Sequence, residues 1–176
     1  MSSATHDRDQ GIILKKRSLL NNIVRITIFS EHHGKIVLSA YGIKKINSRR
    51  LSHLETGNFL KFSFQEKDSF FSLRETETMY GYSKIKSSPE KLHTMYLIFF
   101  ILNRVLPEME PEEATFSLTK NFLKKLNNKE VNQHEIDECI INIFTLAGFI
   151  DESRTFDGVD SLDLAEKILG ERIKLS

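Results

Sequence analysis

The sequence predicts an α+β protein in which a small five-stranded β-barrel is followed by an α-helical domain. Apolar and polar residues alternate with a period of two in the first half of the chain, which is typical of half-buried strands. From Ser88 onward the apolar residues recur at helical spacing instead. Charge divides the chain in the same way: residues 1–86 carry 15 Lys and Arg against 8 Asp and Glu, and residues 87–176 carry 10 against 16.

Five segments bounded by turn-forming residues are predicted to be strands. They are "GIILKKR" (11–17), "NIVRITIF" (22–29), "GKIVLSAY" (34–41), "NFLKFSFQ" (58–65) and "SFFSLRETE" (69–77). In the fourth, Phe62 and Phe64 share the face of Leu60, so we expect both rings in the core rather than on a binding surface. Five short twisted strands with one apolar face each are expected to close into a barrel, which removes exposed edges.

The second half of the chain predicts two helices before residue 130. Ser88 is a candidate N-cap with Pro89 at the first helical position, and this helix must end near Pro107. Pro111 opens the second helix. Its predicted buried stripe consists of Ala114, Leu118, Phe122 and Leu126.

Two more helices are predicted beyond residue 130. Asn132 and Glu135 form a capping-box pattern at the start of the first. Its apolar stripe consists of Ile136, Cys139, Ile140, Ile143, Phe144 and Ala147. Gly148 is expected to end this helix. The last helix is predicted over 161–174, because acidic residues lie in its first turn and basic residues in its last.

These elements predict a flexible tail over residues 1–10, a barrel domain over 11–81 and an α-helical domain over 88–176. The opening "MSSATHDRDQ" lacks the apolar core of a signal peptide. No stretch approaches the roughly 20 apolar residues that cross a bilayer. We therefore expect a cytoplasmic protein without membrane contact.

No motif in the sequence predicts catalysis, and we expect no enzyme activity, cofactor or small-molecule substrate. Cys139 lies on an apolar stripe, which favours a buried core residue over a nucleophile. His134 and Glu138 share one helical face, but a third metal ligand is not recognisable and we expect no metal site. His32 and His33 are predicted to be polar turn residues.

The basic residues of the first half form the candidate binding site. Between Lys15 and Arg50 the chain has nine basic residues and one acidic residue. Side chains out of phase with the apolar strand faces project outward, and a basic surface with an exposed ring suits single-stranded nucleic acid. This reasoning selects Arg25, Lys35, Tyr41 and Lys61, together with Lys44, Lys45, Arg49 and Arg50 in the connection "IKKINSRR". About five phosphate contacts would give a salt slope near −3.5 on a single strand.

Several motifs occur in an order that resembles a known family. They are "GIILKKR", then "IVRITIFSEHHGKIVLSAYGIKKINSRR" and "LETGNFLKFSF", and later "LNRVLPEMEPEEATF" and "LAGF". Together they touch residues 11 to about 150. In this order the sequence resembles the RecO recombination-mediator family of bacterial DNA repair.

The resemblance implies an N-terminal OB-fold barrel followed by a helical domain. It also implies binding of single- and double-stranded DNA, strand annealing and recombinase loading without nucleotide hydrolysis, in association with the nucleoid. The implied partners are RecR and the single-stranded-DNA-binding protein. By position, the family's basic barrel surface maps onto Lys15, Lys16, Arg17, Arg25, Lys35, Lys44, Lys45, Arg49 and Arg50. Many members carry a four-cysteine zinc site, which a chain with one cysteine cannot form.

Two other functions remain open from the sequence. The first is a protein-interaction module with weak DNA contact, which the acidic second half and the apolar pair Leu19 and Leu20 would permit. The second is an OB-type RNA-binding protein, because the chemistry of a basic barrel surface is similar for both nucleic acids.

Overall fold

A computed structural model of the protein describes residues 5–20, 22–41, 53–151 and 160–174. The chain divides into two compact units. The barrel unit comprises residues 1–81 with 107–113, and the helical unit comprises residues 82–106 with 114–176. The segment 107–113 therefore belongs with the barrel, although the sequence pattern grouped it with the helices.

The barrel unit is a closed five-stranded barrel, as predicted. Its strands follow the order β1-β2-β3-β5-β4 around the barrel. They are β1 (Thr5–Ser18), β2 (Ile23–Ser30), β3 (Gly34–Tyr41), β4 (Phe59–Lys67) and β5 (Phe70–Tyr80). Neighbours pair antiparallel except β3 and β5, whose pairing is parallel and gives the closure typical of an OB-fold.

The barrel core consists of the inward phase of each strand. Among the described residues it contains Ile13, Val24, Ile26, Ile28, Ile36, Leu38, Ala40, Leu54, Leu60, Phe62, Phe64 and Leu73. Phe62 and Phe64 are both 3% exposed, which confirms that their rings fill the core. Because successive side chains of a strand point to opposite faces, the alternation in the sequence had already assigned most of these positions.

The predicted tail is wrong for Thr5–Gln10. These residues form the first part of β1 and pair with β4, from Thr5 opposite Glu66 to Gln10 opposite Lys61. The ladder is made by main-chain hydrogen bonds, so it does not require an apolar alternation that the sequence would reveal.

The turn between β2 and β3 is covered by the segment 107–113. The backbone N–H of Met109 donates to the carbonyl of Lys35 at 3.0 Å, and Glu108 forms a parallel bridge with Lys35. Gly34 has a φ of +68°, and a Cβ built on it would lie 1.8 Å from the carbonyl oxygen of Glu110. Only glycine combines this backbone conformation with such a close approach.

The described helices of the second unit are α1 (Ser83–Lys86), α2 (Pro89–Val105), α3 (Glu113–Asn128), α4 (Gln133–Leu146) and α5 (Ser161–Leu169). The Ser88 side chain caps α2, accepting from the backbone of Lys91. Asn132 and Glu135 form the predicted capping box of α4, each side chain accepting from the other's backbone N–H at 2.9 Å. No helix in the described part of the chain combines the length and apolar character needed to cross a membrane.

Two details of the helices differ from the prediction. Ala114 is exposed, because each i+4 step advances by about 40° around the helix and this end of the predicted stripe leaves the buried face. The observed buried residues of α3 are Thr115, Phe116, Thr119, Phe122, Leu123 and Leu126. The last helix ends at Leu169 rather than at residue 174, since Gly170 adopts φ +68° and supplies a left-handed C-cap.

Candidate nucleic-acid interface

A shift in the register of β1 determines which of its basic side chains face outward. Ile13 lies opposite Ile28, but Lys15 lies opposite Thr27, so one extra residue is accommodated at Leu14. The shift is a β-bulge and exchanges the two faces of the strand beyond it. Lys15 and Arg17 consequently lie on the outer face and are exposed, whereas Lys16 takes the inward phase and is half-buried.

Two arginine residues lie directly opposite each other across the first hairpin. Arg17 pairs directly with Arg25, and both residues are exposed. Arg25 in turn pairs with Ser39 on β3, which adds no charge to this row. Like charges directly opposite each other on neighbouring strands destabilise a sheet, by about 0.2–1 kcal/mol. An anion placed between the two guanidinium groups would relieve this repulsion.

An exposed ring borders the two arginines. Tyr41 lies opposite Ile23, one outward position beyond the Arg25–Ser39 pair, and is 56% exposed. We call the surface formed by Lys15, Arg17, Arg25 and Tyr41 the basic face. It lies on one side of the sheet formed by β1, β2 and β3.

The cations of the basic face have no carboxylate partner in the part of the chain that the structure describes. None of the ion pairs there includes Lys15, Arg17 or Arg25. Glu31 is the one acidic residue between Ser18 and Tyr41. Its carboxylate accepts a hydrogen bond from the side chain of Gln10. Positive charge on this face is therefore available to an external anion.

Two predicted residues lie apart from the basic face. Lys35 is 8% exposed, so the prediction that it projects from an open surface is wrong. The segment 107–113 runs beside it. This is a long-range contact that strand alternation cannot reveal. Lys61 is exposed but lies opposite Gln10 on β1 and Glu77 on β5. Gln10 and Lys15 are five residues apart, about 17 Å along a strand. Lys61 therefore belongs to a different, mixed-charge surface.

Four further predicted residues fall in the connection after β3. Lys44, Lys45, Arg49 and Arg50 lie outside the described residues. Their contribution to binding stays a prediction from the sequence. The described cations that the structure brings together are thus Lys15, Arg17 and Arg25.

The comparisons with known proteins agree with this barrel. Residues 1–82 match the family model described as Recombination protein O N terminal. Residues 1–82 are therefore similar to the N-terminal domain of RecO proteins. A DNA repair protein RecO from Desulforamulus reducens is 26% identical over 108 residues, which cover 61% of this chain and 42% of that protein. The RecO of Clostridium acetobutylicum is 29% identical over 121 residues (65% and 49%), and that of Mycoplasma mycoides is 23% identical over 141 residues (77% and 54%).

The match to RecO proteins is partial in length. The aligned regions cover between 42% and 54% of these three relatives, so the chain spans about half the length of the curated RecO proteins it matches. The family model itself ends at residue 82, just after the last strand of the barrel. The family match consequently concerns the barrel rather than the helices.

The barrel also contains a cluster of acidic and histidine side chains that sequence reasoning missed. The carboxylate of Asp9, whose side chain is fully buried, lies 2.8 Å from Nδ1 of His32 and 2.7 Å from Nδ1 of His33. It also accepts from the backbone N–H groups of Gln10 at 2.8 Å and His32 at 3.0 Å. Asp7 contacts Nε2 of His33 at 2.9 Å. The two histidines therefore fasten the β2–β3 turn to β1, beyond the polar turn role predicted for them.

The pKa values in this cluster are shifted toward its charged form. Burial by itself raises the pKa of Asp9, but the hydrogen bonds from His33, His32 and Gln10 outweigh it and lower the pKa. The pKa of His32 is raised, chiefly by its hydrogen bond to Asp9. Burial lowers the pKa of His33, but its contacts with Asp9 and Asp7 outweigh burial, and the net direction is upward. When the histidines are protonated, their contacts with Asp9 and Asp7 join opposite charges.

The other candidate chemical groups all lie on α4. Cys139 is buried, as predicted, and burial raises the pKa of its thiol to about 12. His134 and Glu138 are exposed on α4. Among the described residues no group of three or more His, Cys, Asp or Glu side chains is arranged to hold a metal ion.

Proposed function

We propose that the chain is a DNA-binding mediator of recombinational repair and that the basic face is its DNA contact. The observation that carries this proposal is the exposed Arg17–Arg25 pair, which has no carboxylate partner among the described residues. The match of residues 1–82 to the RecO N-terminal family model, together with relatives that are named DNA repair protein RecO, supports the same conclusion. The mediator role is non-enzymatic: the protein binds, aligns and anneals strands.

Binding on the basic face is directed mainly at the DNA backbone. Lys15, Arg17 and Arg25 each offer a phosphate contact, and Tyr41 offers a ring on which one base can stack. Three phosphate contacts give a salt slope of about −2 on a single strand. Affinity is then expected to fall about 20-fold when the salt concentration rises fourfold. Sequence preference is expected to be small, because none of these contacts reads a base edge.

The proposal is tested by fluorescence anisotropy with a labelled single-stranded oligonucleotide at low and high salt. The double variant Arg17→Glu with Arg25→Glu is expected to weaken binding at low salt and to reduce the slope to about −0.7, since one contact remains. A matched control is Lys167→Glu with Lys174→Glu in the helical unit, which makes the same change in net charge on two exposed lysines. Equal losses in the two double variants would show that net charge alone matters and would refute the proposed face.

A second pair of variants addresses the connection after β3. Lys44→Glu with Arg49→Glu reduces the salt slope further only if this segment also touches phosphates. A wild-type slope steeper than about −2 is expected in that case. Competition between matched DNA and RNA oligonucleotides separates a DNA-repair role from an RNA-binding one, because preference for RNA would contradict the proposal.

The partners belong to the same proposal. We propose that the protein binds RecR and the single-stranded-DNA-binding protein. Through these two partners the mediator would give a recombinase access to single-stranded DNA. Pull-down of each purified partner by the full chain tests this. Recovery of a partner, together with annealing activity that survives Arg17→Glu with Arg25→Glu, would favour the alternative, a protein-interaction module with slight DNA contact.

A further inference from the structure

An acidic segment lies against the barrel at the end of β3 that is opposite Tyr41. Residues 107–113, "PEMEPEE", contain four glutamates and no lysine or arginine. They belong to the barrel unit, although helices of the other unit flank them in the chain. We call residues 107–113 the acidic strap. Glutamates are common on protein surfaces, so this charge alone assigns no role, and the position of the strap on β3 is what makes it informative.

The acidic strap is attached to β3 through its backbone. The N–H of Met109 donates to the carbonyl of Lys35 at 3.0 Å, and Glu108 forms a parallel bridge with Lys35. Pro107 and Pro111 lie near the two ends of the strap. Because proline fixes φ, both residues reduce the number of conformations that the segment can adopt. The strap therefore has a defined place beside β3.

This place is the next outward position after the basic face. Lys15 lies opposite Thr27 on β2, and Thr27 lies opposite Val37 on β3. Because side chains alternate along a strand, the outer face of β3 runs from Tyr41 through Val37 to Lys35. Lys35 is the residue that the strap covers. The open part of this face thus ends about 20 Å from Tyr41, which is the length of six residues of a strand.

The acidic strap borders the basic face with negative charge. Glu108, Glu110 and Glu113 are exposed, and no ion pair in the described part of the barrel unit includes a residue of the strap. The charge of the strap also acts on the barrel. The pKa of His32 is raised chiefly by its hydrogen bond to Asp9 and, to a smaller extent, by the charge of Glu113. An anion on the basic face therefore meets carboxylates at this side.

A nucleic acid brings phosphates toward these carboxylates. Two like unit charges about 10 Å apart in water repel each other enough to change a binding constant about twofold. The screening length is about 30 Å at 0.01 M salt and about 10 Å at 0.1 M salt, so the repulsion is strongest at low salt. The strap also covers the backbone beyond Val37. A strand that contacts Lys15, Arg17 and Arg25 therefore gains no affinity by extending past Val37.

We propose that the acidic strap limits the length of nucleic acid that the basic face can hold, because it repels phosphates and covers the position of Lys35. This inference rests on the proposed DNA-binding function and concerns the regulation of that same surface. The open length of β3 accommodates about six nucleotides at 3.4 Å per nucleotide of one strand. The strap is thus an internal competitor that keeps the contact short and leaves the flanking nucleotides off the barrel.

The test measures binding of the full chain to single-stranded oligonucleotides of increasing length, by fluorescence anisotropy at about 10 mM salt. The double variant Glu108→Gln with Glu110→Gln removes two charges from the strap and keeps the size of both side chains. We expect it to bind a long oligonucleotide about fourfold more tightly than the wild type, since each charge contributes about twofold. We also expect its affinity to continue rising beyond the oligonucleotide length at which the wild type reaches a plateau.

Two control variants separate the acidic strap from net charge. Glu75→Gln with Glu77→Gln makes the same change in net charge on exposed residues of β5, where Glu77 lies opposite Lys61. This variant is expected to keep the affinity and the plateau length of the wild type. Glu108→Asp with Glu110→Asp retains both charges and is expected to behave as the wild type does. Thermal melting verifies that each variant is folded.

The outcomes separate the two proposals. If Glu108→Gln with Glu110→Gln has the affinity and plateau length of the wild type, the inference about the strap is overturned while the basic face stands. A gain in affinity at an unchanged plateau length would overturn it as well, and so would an equal gain in the Glu75→Gln, Glu77→Gln variant. If the wild type does not bind DNA in a salt-dependent manner, the proposed DNA-binding function fails and this inference fails with it.

Discussion

The substitution Asp9→Asn tests whether the buried acidic and histidine cluster stabilises the barrel. The side chain of Asp9 is fully buried and is contacted by the ring Nδ1 atoms of His32 and His33 at 2.8 and 2.7 Å. Asparagine retains one oxygen but replaces the other by an amide donor, so one charge-assisted contact is lost. We expect the free energy of unfolding to fall by about 3 kcal/mol at a pH where both histidines are protonated.

The pH dependence of this effect has a defined sign. The pKa values of His32 and His33 are raised by folding, so their contribution is fully present below about pH 6.5 and is lost as the pH rises through the higher folded-state values. The pKa of Asp9 is lowered, so its contribution is present above about pH 3.9 and is lost as the pH falls through its folded-state value. The nearby charges of Glu31 and Glu113 raise the pKa of His32 further.

The assay is guanidinium unfolding followed by circular dichroism at about pH 6 and at about pH 8. We expect the wild type to lose stability between these two values and Asp9→Asn to lose much less, because its histidines no longer face a buried carboxylate. Amide hydrogen exchange in β1 to β3 should locate the difference in the barrel. Asp68→Asn is the matched control, since Asp68 is exposed and its φ of 51° suits asparagine. Equal stability and equal pH profiles for Asp9→Asn and the wild type would refute this reasoning.

Three further predictions concern stability and reactivity. Gly34→Ala is expected to destabilise the barrel by more than about 2 kcal/mol, because its Cβ would collide with the carbonyl of Glu110, whereas Gly148→Ala, which has a similar φ and open space, should cost about 1 kcal/mol in the same denaturation assay. Asn132→Ala removes a helix cap and should lower stability by about 1 kcal/mol; an unchanged midpoint would contradict this. Cys139 should react with a thiol reagent only after denaturant is added, and rapid labelling of the native protein would disprove its burial.

Much of the fold could be predicted because its signals are local. The strands were recognisable from alternation at i and i+2, and the placement of Phe62 and Phe64 in the core followed from their phase with Leu60. The cap at Ser88 and the capping box at Asn132 depend on residues within one helical turn. Such patterns involve neighbours in the chain, so they can be read without knowing what packs against them.

The misplaced residues have long-range causes. Lys35 has the phase of an outer-face residue, but the segment 107–113 covers it. Thr5–Gln10 shows no strand pattern, yet β4 supplies its pairing partner. The link between Asp9 and the histidines joins residues 23 and 24 positions apart. No local pattern encodes these contacts, because each depends on a partner brought close by closure of the barrel.

The candidate site shows the same division between local and long-range information. The sequence by itself determined that the first half is basic, that it is built of strands, and that Arg25 and Tyr41 point away from the core. Only the tertiary structure decided that Lys15 and Arg17, rather than Lys16, share their face. The physical reason is the extra residue at Leu14: a bulge is defined by the pairing of two strands, and it exchanges the faces of every residue that follows.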